Sequence, residues 1–325
     1  MRVLIVKTSS MGDVVHALPA LSDLLQMRPG TQVDWMVEPR FAAIPAMHIG
    51  VDQVFELAWR QWRKRLASRA TWAEMGRFRR ALRARPYDLV LDLQGLVKSA
   101  FWAAQARGPL AGYDRHSIWE PLACAFYQRV AAVPKDLHAI ERCRRLVAAH
   151  VGYEMPAGPP RFGLTAPLAS ANTVNGALAV LIPCASRPEK LWPEAHWIAL
   201  ARRLSAAGLR VQVFWGSDQE RARAQRIAGA SGAEVPGFLS VADAARVLGP
   251  ARLVVGLDTG LTHLGAALGV ATIGIFGDHE PAAAGVTGEG FQRSLGGVGR
   301  APTLDAVLQV VDEALAATPS ARSPS

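Results

Sequence analysis

Arg2-Val3-Leu4-Ile5-Val6-Lys7-Thr8-Ser9-Ser10-Met11-Gly12-Asp13-Val14-Val15-His16-Ala17-Leu18-Pro19-Ala20-Leu21 decides how this chain is read. The first residues form an apolar, β-branched run, which predicts a buried strand. A polar loop containing Gly12 follows, and from Val14 the apolar residues take a helical spacing. Strand, polar loop and helix make the unit of an open α/β sheet, whose ligands sit beyond the carboxyl ends of the strands. Asp13 is thereby placed at the mouth of a cleft. Two roles stay open to its carboxylate: a helix N-cap that accepts a backbone N–H two or three residues on, or a functional group. Ser9 and Ser10 are loop polar groups with the same two readings.

The loop is neither a dinucleotide fingerprint nor a P-loop. G-x-G-x-x-G and G-x-x-x-x-G-K-[ST] are both absent, and no glycine directly precedes Lys98 in Gly95-Leu96-Val97-Lys98-Ser99.

At 325 residues, half of them hydrophobic, the chain can fill two α/β cores. No apolar run reaches the length of a membrane span, and the opening lacks the features of a signal peptide. A soluble cytoplasmic protein is expected. Cys124, Cys143 and Cys184 are far apart and form no C-x-x-C, so buried thiols are expected rather than disulfides or a zinc site.

The formal net charge of +9 implies an anionic partner. The excess is concentrated between Trp59 and Arg85, where Arg60, Arg63, Lys64, Arg65, Arg69, Arg77, Arg79, Arg80, Arg83 and Arg85 face only Glu74. Residues 79–85 read as a solvated helical face. Arg interleaved with Trp59, Trp62 and Trp72 also suits an anionic membrane interface. No helix-turn-helix, zinc-finger or RNP signature accompanies the patch, so nucleic acid is the weaker partner.

Strands are expected at 3–6, 33–37, 54–57 and 89–93, with helices at 14–27, 71–83, 99–107 and 138–151. This alternation implies a parallel, doubly wound sheet. A Pro- and Gly-rich stretch reads as a linker, 156–176. Alternation then restarts, with strands at 177–182, 210–215, 253–256 and 271–276 and helices at 196–207, 218–228 and 261–268. The expected domains are 1–155 and 177–302. An amphipathic helix at 303–317 and a disordered tail at 318–325 follow.

Three segments of the second half fall at strand ends. Cys184-Ala185-Ser186-Arg187-Pro188-Glu189-Lys190 offers a hydroxyl and a cation to a diphosphate, although an exposed loop lysine is the commoner meaning of a single Lys. In Trp215-Gly216-Ser217-Asp218-Gln219-Glu220, Glu220 can bridge ribose hydroxyls or act as a first-turn Glu favoured by the helix dipole. Asp258-Thr259-Gly260-Leu261-Thr262-His263 opens a helix, and helix N-termini bind phosphate. His263 lies one turn inside and reads as a packed or capping residue. Two such domains without dinucleotide or P-loop signatures suggest a sugar-nucleotide-dependent transferase.

Together these segments resemble the lipopolysaccharide heptosyltransferases, a family of GT-B glycosyltransferases. The opening stretch quoted above carries the resemblance. So do Asp92-Leu93-Gln94-Gly95-Leu96-Val97-Lys98-Ser99-Ala100, Glu120-Pro121-Leu122-Ala123, Lys190-Leu191-Trp192-Pro193-Glu194-Ala195-His196-Trp197 and Asp258-Thr259-Gly260-Leu261-Thr262-His263-Leu264, which run in order to about residue 315.

The resemblance implies two Rossmann-like, doubly wound parallel-sheet domains facing a central cleft. The acceptor lies on the N-terminal domain and the donor on the C-terminal one, and the last helix returns to the N-terminal domain. It implies an inverting transfer of heptose from ADP-L-glycero-β-D-manno-heptose to the inner Kdo of Kdo2-lipid A, at the cytoplasmic face of the inner membrane. Asp13 matches the general base, and Lys190 the cation that stabilises departing ADP. Donor contacts fall on Ser186, Glu220, Leu239 (against adenine), Asp258, Thr259, Gly260, Leu261 and His263. Acceptor contacts fall on Ser10, Arg60, Arg63, Lys64, Gln94, Lys98 and Glu120, with Arg suited to carboxylate and phosphate groups.

No metal ligands and no separate cofactor are expected, because side-chain cations supply the positive charge and no D-x-D motif stands at the donor site. Two departures from the family pattern stand out. Trp119 occupies a position where an Arg is common, and Ala185 one where a hydroxyl residue is common. The competing readings are a heptosyltransferase acting on heptosyl-Kdo2-lipid A, and a non-catalytic binder of ADP-sugars or anionic lipid.

Overall fold

The computed structural model describes residues 1–165 and 178–317. Most of the expected linker, the first residue of the strand expected at 177, and the expected disordered tail lie outside the described residues. The chain divides into two compact units, Met1–Gly163 and the residues from Leu164 onward.

The first unit runs β1 (Arg2–Val6), α1 (Met11–Met27), β2 (Gln32–Val37), α2 (Ala43–Ala46), β3 (Val51–Glu56), α3 (Trp59–Trp62), α4 (Arg69–Arg83), β4 (Leu89–Asp92), α5 (Val97–Ala103), β5 (Leu110–Tyr113), β6 (Arg129–Ala131) and α6 (Ala139–Val151). Its six strands pair in the order β3-β2-β1-β4-β5-β6, parallel throughout. Val3 to Val6 are fully buried, as a central strand covered on both faces requires. In this order the direction of winding reverses between β1 and β4, and ligands bind in the crevice at that point. The loops after β1 and β4 therefore belong to one site.

The unit extends past the expected boundary at 155. Phe162 is buried, and Ile49 N donates to Gly163 O at 3.3 Å. The start of the Pro/Gly stretch is thus packed against this unit, because an aromatic side chain within it finds a core to enter.

The second unit runs β7 (Leu178–Ile182), α7 (Glu194–Ala206), β8 (Arg210–Val213), α8 (Asp218–Ser231), α9 (Val241–Leu248), β9 (Leu253–Leu257), α10 (Gly260–Ala267), β10 (Ala271–Phe276), α11 (Pro281–Ala284), β11 (Gln292–Gly296) and α12 (Leu304–Ala317). Its strands pair in the order β11-β10-β9-β7-β8, again all parallel. The reversal here falls between β7 and β9. Gly256 sits at that crossing, and a Cβ there would come within 2.2 Å of Thr262 Oγ1 and 3.0 Å of Ile182 Cβ.

The last helix packs within the second unit. Val307, Val311 and Ala314 of α12 are buried in the core of the second unit with Trp197, Leu200 and Leu204 of α7. Arg203 Nη2 reaches Asp312 Oδ1 at 2.6 Å, and Arg252 Nη2 donates to Leu315 O at 2.9 Å. The apolar stripe of α12 is satisfied within the second unit's own core.

Candidate active site

At the β1/β4 point, α1 starts earlier than the apolar pattern suggested. Ser10 is its N-cap and Asp13 its third residue, so the N-cap reading of Asp13 is corrected. Its carboxylate reaches backward: Oδ2 accepts Ser10 N at 2.8 Å and Ser10 Oγ at 2.7 Å. Oδ1 lies 3.9 Å from Lys7 Nζ, and the side chain is 45% exposed. One oxygen is committed to capping while the other remains open to a ligand. The Ser10 hydroxyl is spent on Asp13.

Lys7 is buried and its Nζ donates to Leu93 O at 3.0 Å. Gln94 Oε1 accepts Thr8 N at 2.9 Å, Thr8 Oγ1 at 3.2 Å and Ser9 N at 3.0 Å. Gln94 therefore clamps the β1 loop, and its carboxamide oxygen is already engaged. Beneath it, fully buried Asp92 accepts Gln94 N at 2.9 Å, Gly95 N at 3.2 Å, Ser99 Oγ at 2.9 Å and Tyr127 OH at 2.9 Å. Burial pushes the Asp92 carboxyl upward, against these four bonds that favour the ionised form. Glu120 Oε2 accepts Val97 N at 2.7 Å and so caps α5.

The basic segment separates into three parts. Arg60 Nε binds buried Glu38 Oε1 at 2.8 Å, and Lys98 Nζ stands 4.0 Å from the same oxygen. Arg63 and Lys64 are exposed, with no carboxylate in ion-pair distance among the described residues. On α4 only Thr71 and Leu82 are buried, so the arginines of 79–83 do form a solvated face, while Arg85 pairs with buried Asp34 at 3.5 Å. The tryptophans are mostly core. Trp62 is buried with its ring 5.4 Å from Trp102 and 5.6 Å from Phe78, and Trp59 packs on Trp102 at 6.0 Å. Of the three, Trp72 is the one with an exposed ring. Helical spacing turned the others inward. Trp119 stacks on Arg142 at 4.9 Å and on Lys135 at 5.7 Å.

At the β7/β9 point, Lys190 ends a short 3-10 turn. Its Nζ donates to Asp258 Oδ2 at 2.6 Å and Asp258 O at 3.0 Å. Nε2 of buried His263 meets Asp258 Oδ1 at 3.1 Å. Burial alone would raise the Asp258 carboxyl, but the bonds from His263 and Lys190 outweigh it and hold the group well below the usual carboxylate range. Both Asp258 oxygens are thus engaged, and His263 acts through Asp258.

The residues after Lys190 explain its placement. Trp192 Nε1 donates to Pro302 O at 2.9 Å, and Glu194 pairs with Arg223 at 3.1 Å and Arg226 at 2.7 Å. These bonds pin the Lys190-Leu191-Trp192-Pro193-Glu194 stretch to the unit's core.

Thr259 caps α10, leaving the first N–H groups of Gly260 and Leu261 without intrahelical acceptors. Ser186 is exposed in the loop after β7. Glu220 sits in the first turn of α8, where its Oε2 accepts Gly216 N at 2.7 Å and its other oxygen makes no hydrogen bond among the described residues. Leu239 is half-buried. Beside it Phe238 is exposed, 5.9 Å from the Trp215 ring.

Four residues were given no role from the sequence: Glu38, Asp92, Asp278 and His279. Each follows or ends a strand, at the carboxyl edge where polar groups gather, and that position was the available signal. Among the described residues, Asp258, Asp278 and His279 bring ligand atoms within 4.8 Å of one another, close enough for a metal ion. Lys190 Nζ stands among them, 3.8 Å from Asp278 Oδ1.

Two parallel-sheet units, each gathering carboxylates and cations at its winding reversal, make the architecture of a GT-B glycosyltransferase. The chain is 42% identical over 323 residues to lipopolysaccharide heptosyltransferase 1 of Escherichia coli O18:K1:H7 (strain RS218 / NMEC), covering 96% of this chain and 98% of that protein. E. coli heptosyltransferase WaaC with ADP superposes with a TM-score of 0.89 at 40% identity, covering 97% of this chain and all of that one (100%). WaaC with ADP-2-deoxy-2-fluoro heptose gives 0.85 at 40% identity, covering 96% and 99%. The family model for glycosyltransferase family 9 (heptosyltransferase) matches residues 75–305. The chain belongs to glycosyltransferase family 9, the heptosyltransferases.

Proposed function

We propose that the chain moves L-glycero-D-manno-heptose from ADP-heptose to the inner Kdo of Kdo2-lipid A, with inversion, in building the lipopolysaccharide inner core. One observation carries the reading: the likeness to proteins named lipopolysaccharide heptosyltransferase 1 spans both units, including the β1/β4 and β7/β9 loops. Asp13 Oδ1 takes the proton of the attacking acceptor hydroxyl while Oδ2 stays bound to Ser10. The hydroxyl oxygen bonds to the anomeric carbon as the bond to ADP breaks. Lys190 meets the charge that develops on the departing diphosphate, with the α10 N–H groups of Thr259, Gly260 and Leu261 beside it.

Ser186 also serves the phosphates, the second Glu220 oxygen takes the ribose hydroxyls, and Leu239 packs on adenine. Asp258 takes heptose hydroxyls from its fixed position. Arg63 and Lys64, with Arg60 and Lys98 arranged by Glu38, take the anionic acceptor, which Ser10, Gln94 and Glu120 approach from the clamped loops. The same basic face rests on the anionic cytoplasmic surface of the inner membrane. No helix among the described residues is long and apolar enough to cross a membrane. No cofactor or metal is required, because these cations carry the charge.

The test is heptose transfer from ADP-heptose to Kdo2-lipid A with EDTA present. Transfer supports the reading. Transfer only to heptosyl-Kdo2-lipid A would move the chain to the next step of the core, and binding of ADP-heptose without transfer to either would make it a silent relative.

A further inference from the structure

Asp278 follows β10, in the loop Gly277-Asp278-His279 beyond the sheet's carboxyl edge. Its side chain is only 11% exposed, although it lies in a surface loop. Oδ2 is ion-paired with Arg187 Nη2. Oδ1 lies 3.8 Å from Lys190 Nζ and 2.8 Å from His279 Nδ1. Arg187 and Lys190 bracket the same short turn after β7, so one carboxylate pairs with Arg187 and stands near Lys190, the donor-side cation of the reading above. His279 Nδ1 also stands 3.2 Å from Arg187 Nη2 and 3.9 Å from Asp258 Oδ2.

Asp258 and Asp278 differ in what they could release. Both Asp258 oxygens are engaged, by buried His263 and by Lys190. Asp278 instead meets Arg187, which is half-exposed, and it meets Lys190 only at long range. A dianionic diphosphate entering this loop would be drawn to Arg187 and Lys190 and repelled by Asp278. Binding is then an exchange of one anion for another, and it is weaker than binding to two uncommitted cations.

We propose that Asp278 is an internal stand-in for the donor's diphosphate: its carboxylate occupies Arg187, beside the Lys190 that Asp258 holds, until a diphosphate displaces it. The inference deepens the donor-site reading and rests on it. Asp278 is a positioning residue that acts through the two cations, and it sets the strength of donor binding and the ease of product release. Its loss leaves Arg187 permanently competent while Lys190 stays on Asp258, and a site whose competent state is fully populated binds more tightly by the reciprocal of its former population.

The experiment is calorimetric titration of the full-length wild type and Asp278→Asn with ADP and, separately, with inorganic pyrophosphate. It is paired with KM and kcat for ADP-heptose. Asn keeps the size of the side chain, and Asp278→Ser is a second variant in case the amide finds new partners. The expected result is pyrophosphate and ADP binding tightened by about tenfold in both variants, with a lower donor KM and a kcat lowered by slow product release.

Unchanged or weakened pyrophosphate binding in folded variants overturns the proposal, and so does a complete lack of pyrophosphate binding by all three proteins. Tighter pyrophosphate binding with no ADP binding would sustain the inference while defeating the donor reading.

Discussion

The two winding reversals solve the same problem in opposite ways. At β1/β4 the carboxylate of Asp13 is hydrogen-bonded by neutral donors from its own helix cap, and its second oxygen faces the Lys7 ammonium at 3.9 Å without a hydrogen bond among the described residues. At β7/β9 the carboxylate of Asp258 is held by an ammonium and an imidazole, and neither oxygen is spare. A base must be fixed in place yet retain a lone pair for a proton, and the first arrangement provides that. An anchor for a cation must stay charged, and the second provides that. Sheet topology chose where both carboxylates stand, and their partners decide what each can do.

The sharpest way to break the comparison is Asp13→Asn. The amide oxygen can still accept Ser10 N–H, so the melting temperature should hold while kcat falls about 10²- to 10⁴-fold, the usual worth of a general base. Asp13→Ala should add a loss of about 1 kcal/mol from the helix cap. Comparable activity in the Asn variant would remove the base assignment.

Lys190→Ala should act on both activity and stability. It should lower kcat about 10²- to 10³-fold, as loss of a preorganised electrostatic group does. It should also cost up to about 3 kcal/mol, the low end for breaking a buried pair, because it strips Asp258 of its cation. Denaturant midpoints measured beside turnover would separate the two effects. A variant with wild-type stability would mean that Asp258 does not need the lysine.

The smallest effect is on acid stability. The Asp258 carboxyl is depressed in the folded protein, whereas the unfolded chain protonates it near pH 4 (about 3.9). As pH falls, the unfolded state takes up the proton first. The stabilisation is therefore complete above about pH 4 and is lost progressively below it. Asp258→Asn should flatten the acid limb of a stability–pH curve, and an unchanged limb would assign that limb to other groups.

Much of the architecture was legible in the sequence because central parallel strands are apolar on both faces. Val3–Val6 and Leu178–Ile182 announce themselves by composition alone. The edge strands β6 and β11 do not, because Arg129-Val130-Ala131 and Gln292-Arg293-Ser294-Leu295-Gly296 expose part of their surface and carry polar residues. Short β5 and the helix α9 were missed for want of a long periodic stretch.

In the two units, Asp13, Lys190, Glu220 and Asp258 stand in the strand-end loops and first helical turns where local spacing put them. Their partners carry no such spacing. Glu38 gathers Arg60 and Lys98 from two other elements, and Asp278 reaches back to Arg187 across 91 positions of sequence. A charge pair between distant loops leaves no periodic trace. The tryptophans of the basic segment divide in a way composition does not reveal, with Trp59 and Trp62 packed inward and the Trp72 ring exposed.

The Gln94 clamp also has a consequence for how the chain acquires its activity. The bonds that hold Thr8 and Ser9 come from a single residue, Gln94, 86 and 85 positions downstream, and β1 has β4 as one of its two neighbours. Nothing local to the first sixteen residues can supply them. Contacts of such high sequence separation carry a loop-closure cost and form late. The stretch that begins the chain should thus be among the last of its unit to settle during folding. On a growing polypeptide it cannot adopt its working shape until Gln94 has emerged from the ribosome and β4 has docked.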